Sequence, residues 1–345
     1  MTDKPVGIGL VGAGAYGEFC LAAFAQMPEV KITAVADVNV ARAQQLARHY
    51  QARAYDSLDA LLADAEVEIV ALNTPPNLHA PQGLAALHAG KHLFCEKPLA
   101  LTVSEGEQLI DAAKAQELRL TVDYVMRQNP YWVAAAALKN SGVLGALRHM
   151  DLANHAAGLN LPDNHWFWNK ALSGGIWVEH GVHFFDACAW VAGTEGEILS
   201  AAAYARGDGA IDRVECLARY GETAAHFYHG FDQSSKTEQT TVTLTFERGY
   251  ITLREWVPTS MEVLTTAARG DWLLLLPDVV DCIDLSDGRT FTRAYSPAGK
   301  SALYTRCIQD GMRQLAHAVR DPHAPLLVTG EHGLASLRMA VTATN

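Results

Sequence analysis

One stretch of this chain brings two carboxylates and two imidazoles together, between Glu179 and Asp186. Glu179 precedes His183 by four residues, and Asp186 follows His183 by three. This spacing predicts that all three side chains share one face of a helix over 178–191. A histidine so placed can accept a hydroxyl proton as a general base while a carboxylate orients its ring. The stretch therefore predicts acid–base chemistry, with a purely structural histidine on an apolar helix as the alternative.

His180 is a further imidazole beside this pair. Glu179, His180 and His183 could supply three metal ligands, but His180 would sit about 100° from Glu179 around an α-helix, so we predict no metal. Seven of the 14 histidines fall within 149–229. These imidazoles could instead donate to a polyhydroxyl or anionic substrate, and they include His155, His165, His226 and His229.

A lysine stands in the segment Glu96-Lys97-Pro98, directly after a predicted strand over 91–95. Parallel sheets bind their ligands at the carboxyl ends of strands, so this position favours a functional amine. The alternative is a surface salt bridge followed by a proline that ends the strand. We interpret Lys97 as a catalytic candidate.

The elements that must hold these residues begin with an apolar strand over 6–11, which leads into Gly12-x-Gly14-x-x-Gly17. In such a motif one glycine permits a tight turn, one lets the backbone approach a pyrophosphate, and one lets the next helix pack closely. The phosphates would bind at the N-terminus of a helix that starts near Ala15, where backbone N–H groups point outward. The stretch predicts a dinucleotide site formed by Gly12, Ala13, Gly14, Ala15 and Tyr16.

Asp37 follows Gly17 by 20 residues and ends the second predicted strand. A carboxylate at that position hydrogen-bonds the adenosine ribose hydroxyls and repels a 2′-phosphate, so NAD is favoured over NADP. A helix N-cap for the helix that begins at Val40 is a compatible alternative.

Strands alternate with helices up to residue 123, which predicts parallel βαβ units in a doubly wound Rossmann sheet. Beyond Asp123 the pattern becomes a series of strand-like runs joined by turns, which predicts an α+β domain with a large, open, mostly antiparallel sheet. We predict an NAD-binding domain over 1–123 and a substrate-binding and oligomerisation domain over 124–345. The run 240–246 is apolar on one side, which favours a homo-oligomer, either a dimer or a tetramer.

The composition restricts the partners. A formal net charge of −11 argues against nucleic acid and against an anionic membrane, since both favour a basic face. The longest apolar runs are too short to span a bilayer, and the N-terminus has no signal-peptide pattern. Six scattered cysteines without a Cys-x-x-Cys pair are typical of reduced thiols. We expect a cytoplasmic protein that acts on a small molecule.

Taken in order, several motifs resemble the Gfo/Idh/MocA family, named for glucose–fructose oxidoreductase, inositol 2-dehydrogenase and a rhizopine-catabolism protein. The resemblance extends over nearly the whole chain. It rests on Gly12-x-Gly14-x-x-Gly17, the segments 73–79, 96–98, 127–130, 173–175 and 329–334, and Glu179-x-x-x-His183-x-x-Asp186. Two departures are Glu179, where many members have Asp, and Ile176, where a third glycine is common.

The resemblance implies a role for each matching residue. Lys97 would contact the nicotinamide ribose and the reacting hydroxyl, His183 would be the catalytic acid/base, and Glu179 would help to hold substrate or histidine. The cofactor cleft would be lined by Thr74, Pro75, His79, Glu96 and Arg127. Trp168 and Lys170 would border a sugar pocket, and our substrate candidates add Tyr124, His155 and His180. The Lys97–Pro98 peptide bond is expected to be cis, as in relatives.

These residues together predict reversible hydride transfer between nicotinamide and a secondary alcohol of a sugar, cyclitol or related polyol. Two alternatives stay open. One is redox-assisted glycoside cleavage, in which NAD stays bound while a sugar is transiently oxidised. The other, from a different class, is a non-catalytic protein that senses NAD or a metabolite.

Overall fold

A computed structural model describes residues 4–345. Its strands in chain order are β1 (Val6–Val11), β2 (Val30–Ala36), β3 (Arg53–Tyr55), β4 (Ile69–Leu72), β5 (His92–Cys95), β6 (Leu120–Val122), β7 (Leu147–His155), β8 (Glu197–Ala205), β9 (Ile211–Tyr220), β10 (Thr223–Gly230), β11 (Gln239–Phe246), β12 (Gly249–Arg254), β13 (Ser260–Thr265), β14 (Val279–Asp284) and β15 (Thr290–Tyr295). The α-helices are α1 (Ala15–Phe24), α2 (Val40–His49), α3 (Leu58–Leu62), α4 (His79–His88), α5 (Val103–Ala115), α6 (Pro130–Ser141), α7 (Lys170–Ser173), α8 (Val182–Ala192), α9 (Gly299–Arg320) and α10 (Gly330–Thr344).

The chain forms two compact units. The first contains the chain up to Tyr124 together with Ala171–Gly174 and Thr305–Arg338. The second contains Val125–Lys170, Gly175–Tyr304 and Met339–Asn345. The predicted domain boundary between residues 123 and 124 lies one residue before the position where the chain first leaves the first unit. The prediction assigned all later residues to the second domain, whereas Ala171–Gly174 and Thr305–Arg338 belong to the first unit.

The first unit is built on a parallel sheet, as predicted. Within residues 4–345 this sheet has six strands in the order β3-β2-β1-β4-β5-β6, and every pair in it is parallel. All six residues of β1 are buried, as expected for a central strand covered on both faces. The strand order reverses between β1 and β4, which is where open α/β sheets bind their ligands.

A segment near the end of the chain, Thr305–Arg338, belongs to the first unit. Thr121 in β6 donates a hydrogen bond to Val328 O at 2.9 Å. Arg320 in α9 forms an ion pair with Glu68, and burial is partial on both sides. Side-chain hydrogen bonds over more than 200 residues of sequence leave no local pattern, so the sequence did not reveal that this segment returns to the first sheet.

The second unit is built on a mostly antiparallel sheet, also as predicted. In the described part of the chain it has nine strands, in the order β14-β15-β13-β12-β11-β7-β10-β9-β8, and β7 and β10 form its parallel pair. One face packs against the segment 177–192, where Phe185 meets Phe227 with ring centroids 4.9 Å apart. The other face is half-exposed. The apolar side of β11, which had suggested an oligomer contact, is the buried side, and its half-exposed side carries threonines.

Several predicted elements need correction. The strands β3, β14 and β15 were not predicted. β3 has only three residues, and β14 lies at the sheet edge with Val279, Val280 and Ile283 exposed, so neither strand shows a buried alternation. The predicted helix over 178–191 is a π-helix at Trp177–Gly181 followed by α8. From residue 4 onward, no helix combines the length and the apolar character needed to cross a bilayer.

Candidate functional site

The glycine motif links the end of β1 to the start of α1, and its three glycines differ in their surroundings. Gly12 has φ +96°, and a Cβ there would lie 2.6 Å from Asn73 O. A Cβ at Gly17 would lie 2.0 Å from Gly12 O, so only glycine lets α1 pack this closely. At Gly14 a Cβ would meet no atom within 4 Å. The motif therefore leaves open space beside Gly14, at the N-terminus of α1, where an anion is favoured.

Asp37 follows β2 and holds the glycine motif in place. Its Oδ2 accepts a hydrogen bond from the Ala13 N–H at 2.7 Å, and its Oδ1 accepts one from the Asn39 N–H at 2.7 Å. Asn39 is the N-cap of α2, accepting from the Arg42 N–H at 3.2 Å. The alternative capping role considered for Asp37 thus belongs to Asn39, and Asp37 stands at the strand end where a ribose is recognised.

His79 joins two of the loops that follow parallel strands. The ring is fully buried, with Nδ1 2.7 Å from Pro98 O and Nε2 2.8 Å from Thr74 O. Burial lowers the pKa of His79. Thr74 also donates from its hydroxyl to Gln82 Oε1 at 2.6 Å. His79 therefore ties the loop after β4 to the segment after β5, and the Lys97–Pro98 peptide bond in that segment is cis, as expected.

Lys97 lies near two carboxylates of its own unit. Its Nζ is 4.0 Å from Glu96 Oε1, and both side chains are largely buried. Asp123 follows β6, is buried, and accepts a hydrogen bond from the Tyr16 hydroxyl at 3.0 Å. Burial raises the pKa of Asp123 to about 7, while the Tyr16 hydroxyl and the Lys97 charge act in the opposite direction. Asp123 was not among the predicted site residues, because nothing in its sequence surroundings marks it.

The residues at the strand ends of the first unit are suited to bind a dinucleotide. Gly12, Asp37, Asn73, Glu96 and Asp123 each directly follow one of five neighbouring parallel strands. Open space beside Gly14 suits a pyrophosphate, and a carboxylate stands at the end of β2. This arrangement is the one that dinucleotide-binding sheets use.

Tyr124 and Arg127 make contacts that the sequence did not predict. Tyr124 is buried, and its hydroxyl lies 2.5 Å from the Ser336 hydroxyl within the first unit. Arg127 was a predicted cofactor residue, and in the second unit its guanidinium pairs with Asp186. Asp186 was one of the two carboxylates predicted to share a helix face with His183. These contacts give Tyr124, Arg127 and Asp186 packing and pairing roles of their own.

A π-helix of the second unit presents the candidate acid–base residues, and two consecutive glycines precede it. Gly174 and Gly175 have φ +80° and +88°, so the chain turns sharply in the left-handed region before the helix. Glu179 and His180 lie in the π-helix and are half-buried, and His183 lies in the first turn of α8 and is buried. Single-turn π-helices occur often at functional sites. Because the segment is a π-helix, the α-helical angle used to place His180 relative to Glu179 does not hold here.

Aromatic rings surround His180 and His183. The two imidazole centroids are 5.9 Å apart, and Trp256 lies 6.1 Å from His180 and 5.6 Å from His183. Phe231 lies 5.3 Å from His180. Trp256 follows Glu255, whose φ is +73°, and it is half-buried. Trp256 is a candidate site residue that sequence reasoning missed, because a single tryptophan in a turn shows no periodicity.

His229 joins this cluster, but other predicted residues do not. The centroid of His229 lies 5.3 Å from that of His180. His155 lies on the opposite face of the sheet, 5.1 Å from the ring of Tyr228. On that same half-exposed face, His226 pairs with Asp151 at 3.0 Å.

Trp168, Lys170 and His165 lie in the segment before the two glycines. The Trp168 ring packs against Phe167 and lies 4.5 Å from the Arg206 guanidinium. Lys170 is exposed and donates to Thr344 O at 3.4 Å. His165 accepts a hydrogen bond from the Phe167 N–H. Phe167 in turn packs on Phe231, which connects Trp168 to the histidine cluster through two rings.

Among residues 4–345, no group of three His, Cys, Asp or Glu side chains is arranged to hold a metal ion.

Comparison with known proteins defines the class first. Residues 6–124 match an oxidoreductase family with an NAD-binding Rossmann fold, and residues 132–252 match the GFO/IDH/MocA C-terminal domain. The two matches follow one another along most of the chain. The chain belongs to the Gfo/Idh/MocA oxidoreductase family, as its motifs predicted.

Individual relatives and one solved structure are similar to this chain. D-glucoside 3-dehydrogenase of Escherichia coli (strain K12) is 29% identical over 196 residues, covering 56% of this chain and 56% of that protein. dTDP-3,4-didehydro-2,6-dideoxy-alpha-D-glucose 3-reductase of Saccharopolyspora spinosa is 28% identical over 231 residues, covering 66% and 69%. Levoglucosan dehydrogenase, solved with NADH and levoglucosan, superimposes with a TM-score of 0.85 at 19% identity, covering 99% of this chain and 97% of that one. The chain spans 53% to 65% of the length of four curated relatives, the Escherichia coli protein included.

Proposed function

We propose that this chain is an NAD-dependent dehydrogenase that transfers a hydride between nicotinamide and a secondary alcohol of a sugar, cyclitol or related polyol. The observation that carries the proposal is the row of residues at the carboxyl ends of neighbouring parallel strands, which includes the predicted cofactor residues Gly12, Asp37 and Glu96. The family membership adds support, as do relatives whose names describe oxidation or reduction of sugar derivatives.

NAD, when bound, supplies the hydride acceptor. The residues Gly12 to Gly17 would bind its pyrophosphate, and Asp37 would bind the adenosine ribose. In our proposal His183 takes the proton from the reacting hydroxyl, and Lys97 stabilises the negative charge that develops on the same oxygen. Glu179 would hold the substrate or the histidine. Burial of His183 excludes water from the proton that it carries.

Two further predictions belong to this proposal. Asp37 favours NAD over NADP because a carboxylate repels a 2′-phosphate. A homo-oligomer is supported by apolar side chains on the half-exposed face of the second sheet, among them Leu217 and Tyr250. Light scattering on the purified chain tests the second prediction, and a monomer at all concentrations would overturn it.

A substrate panel tests the proposed function. The full chain is incubated with NAD or NADP and with aldoses, inositols, sugar acids and glycosides, while NADH formation and glycoside cleavage are both followed. We expect NADH to form with at least one secondary alcohol. Glycoside cleavage without net NADH would support the redox-assisted alternative instead. NAD binding by calorimetry, with no turnover across the panel, would overturn the proposal in favour of a sensing role.

A further inference from the structure

Two histidines of the second unit face each other through one ring nitrogen each. The Nδ1 atoms of His180 and His229 lie 3.3 Å apart, which is hydrogen-bonding distance for two ring nitrogens. A neutral imidazole carries its proton on one nitrogen, so only one of the two rings can donate across this contact. The tautomer of each ring is therefore tied to that of the other.

The surroundings of His229 favour one of the two arrangements. His229 is fully buried in β10, and burial together with the neighbouring His180 lowers its pKa well below the ordinary value, so the ring is neutral. Within residues 4–345 its Nε2 has no hydrogen-bond partner. An N–H on that atom would be a buried donor without an acceptor, which is costly.

Two neighbouring donors strengthen this preference. Asn154 is the residue directly beside His229 in the β7–β10 register, and the Trp177 ring lies 5.0 Å from that of His229. Both side chains are buried, and in the described chain Asn154 Nδ2 and Trp177 Nε1 lack acceptors. A region with an excess of donors stabilises a lone pair rather than a third N–H. His229 therefore carries its proton on Nδ1 and donates it to His180.

We propose that His229 is a positioning residue that holds His180 with its proton on Nε2, so that His180 donates a hydrogen bond to a substrate oxygen adjacent to the hydroxyl that His183 deprotonates. This inference rests on the proposed function. The half-buried His180, the buried His183 and Trp256 pack together, and a second donor beside the base selects substrates with a neighbouring oxygen. The substrate class is therefore a vicinal diol or hydroxy-ketone rather than an isolated secondary alcohol.

A matched pair of variants separates positioning from packing. In His229→Asn the amide N–H can replace the Nδ1–H donor, and in His229→Phe the ring volume is kept without a donor. With the best diol from the panel, we expect His229→Phe to raise KM about tenfold with kcat little changed, and His229→Asn to stay near the wild type. With the analogue that lacks the neighbouring hydroxyl, the three proteins should have equal KM. Equal losses in the two variants, or an equal loss on both substrates, would overturn the proposal.

A spectroscopic measurement tests the tautomer without turnover. Nitrogen NMR on isotope-labelled histidine in the full chain, assigned with His180→Gln and His229→Asn, should show His180 protonated on Nε2 and His229 on Nδ1. The reverse assignment would overturn the inference even if the enzyme is active. If no alcohol is oxidised by the wild type, the proposed function fails, and the NMR result still decides whether His229 sets the tautomer of His180.

Discussion

The guanidinium of Arg127 and the carboxylate of Asp186 form a two-point salt bridge inside the second unit. Arg127 Nε lies 2.8 Å from Asp186 Oδ2, and Nη2 lies 2.8 Å from Oδ1, with both side chains almost completely buried. Burial raises the pKa of Asp186 to about 6, against the opposing charge of Arg127. The pair fixes the segment before α6 to α8, the helix that carries His183. Each residue thus has a partner that the sequence did not predict.

We expect removal of either partner of this pair to destabilise the protein strongly. Arg127→Met or Asp186→Leu would leave one buried charge without compensation and lower the free energy of unfolding by about 3–5 kcal/mol. The double variant should be more stable than either single variant, because it leaves no buried charge. Urea unfolding of the four proteins measures this, and purely additive losses would contradict it. NAD affinity in Arg127→Lys shows separately whether Arg127 also contacts the cofactor.

The catalytic assignment predicts that two substitutions lower kcat and that a third leaves it nearly unchanged. Lys97→Met and His183→Ala should each lower kcat by about 10²–10⁴-fold, because one removes charge stabilisation and the other the base. NAD affinity should change only a few-fold in either variant. His155→Ala is the matched control, since His155 lies on the far face of the sheet from the histidine cluster. Undiminished turnover in His183→Ala would overturn the assignment, and a large loss in His155→Ala would contradict the placement of that residue.

Cofactor preference should depend on Asp37. We expect Asp37→Ser to weaken NAD binding about tenfold or more, because the carboxylate no longer binds the ribose hydroxyls. The ratio of the NADP dissociation constant to the NAD dissociation constant should fall, because the repulsion of a 2′-phosphate is lost. Calorimetry with both cofactors measures the ratio. Asn39→Ala is the control: it removes the α2 cap and costs about 1 kcal/mol of stability without changing the ratio. An unchanged ratio of dissociation constants in Asp37→Ser would show that Asp37 only holds the glycine motif in place and does not select the cofactor.

The sequence predicted those parts of the molecule that local patterns encode. The apolar strand before Gly12 and the alternation of β11 follow directly from residue types, and a local Thr102–Glu105 capping box starts α5. Pairings across long separations left no such trace. Arg127 meets Asp186, and His180 meets His229, only because tertiary packing brings separate elements together.

Trp256 should contribute to substrate binding through its contact with both site histidines. Its ring lies 5.6 Å from His183 and 5.1 Å from Tyr304, which restricts its orientation. Removing it in Trp256→Ala should raise KM about three- to tenfold, as expected for a lost aromatic contact. Trp256→Phe retains an aromatic ring and should recover most of the affinity. Equal effects of the two variants would mean that the ring itself is not what matters.

Asp123 should give the first unit a distinctive dependence on pH. Its pKa is about 7 in the folded protein, because the carboxyl is buried, and 3.8 is its ordinary value. The folded protein therefore binds the proton more tightly than the unfolded chain does. This contribution to stability is fully present below about pH 4 and is lost as the pH rises toward 7.

Asp123→Asn is neutral throughout and can still accept a hydrogen bond from the Tyr16 hydroxyl. The Tm of Asp123→Asn relative to the wild type should thus increase between about pH 5 and pH 8. Tyr16→Phe removes a hydrogen bond that favours the Asp123 carboxylate, so the pKa of Asp123 should rise further. The loss of stability in Tyr16→Phe should therefore continue to higher pH than in the wild type. Parallel Tm curves for Asp123→Asn and the wild type would contradict this assignment.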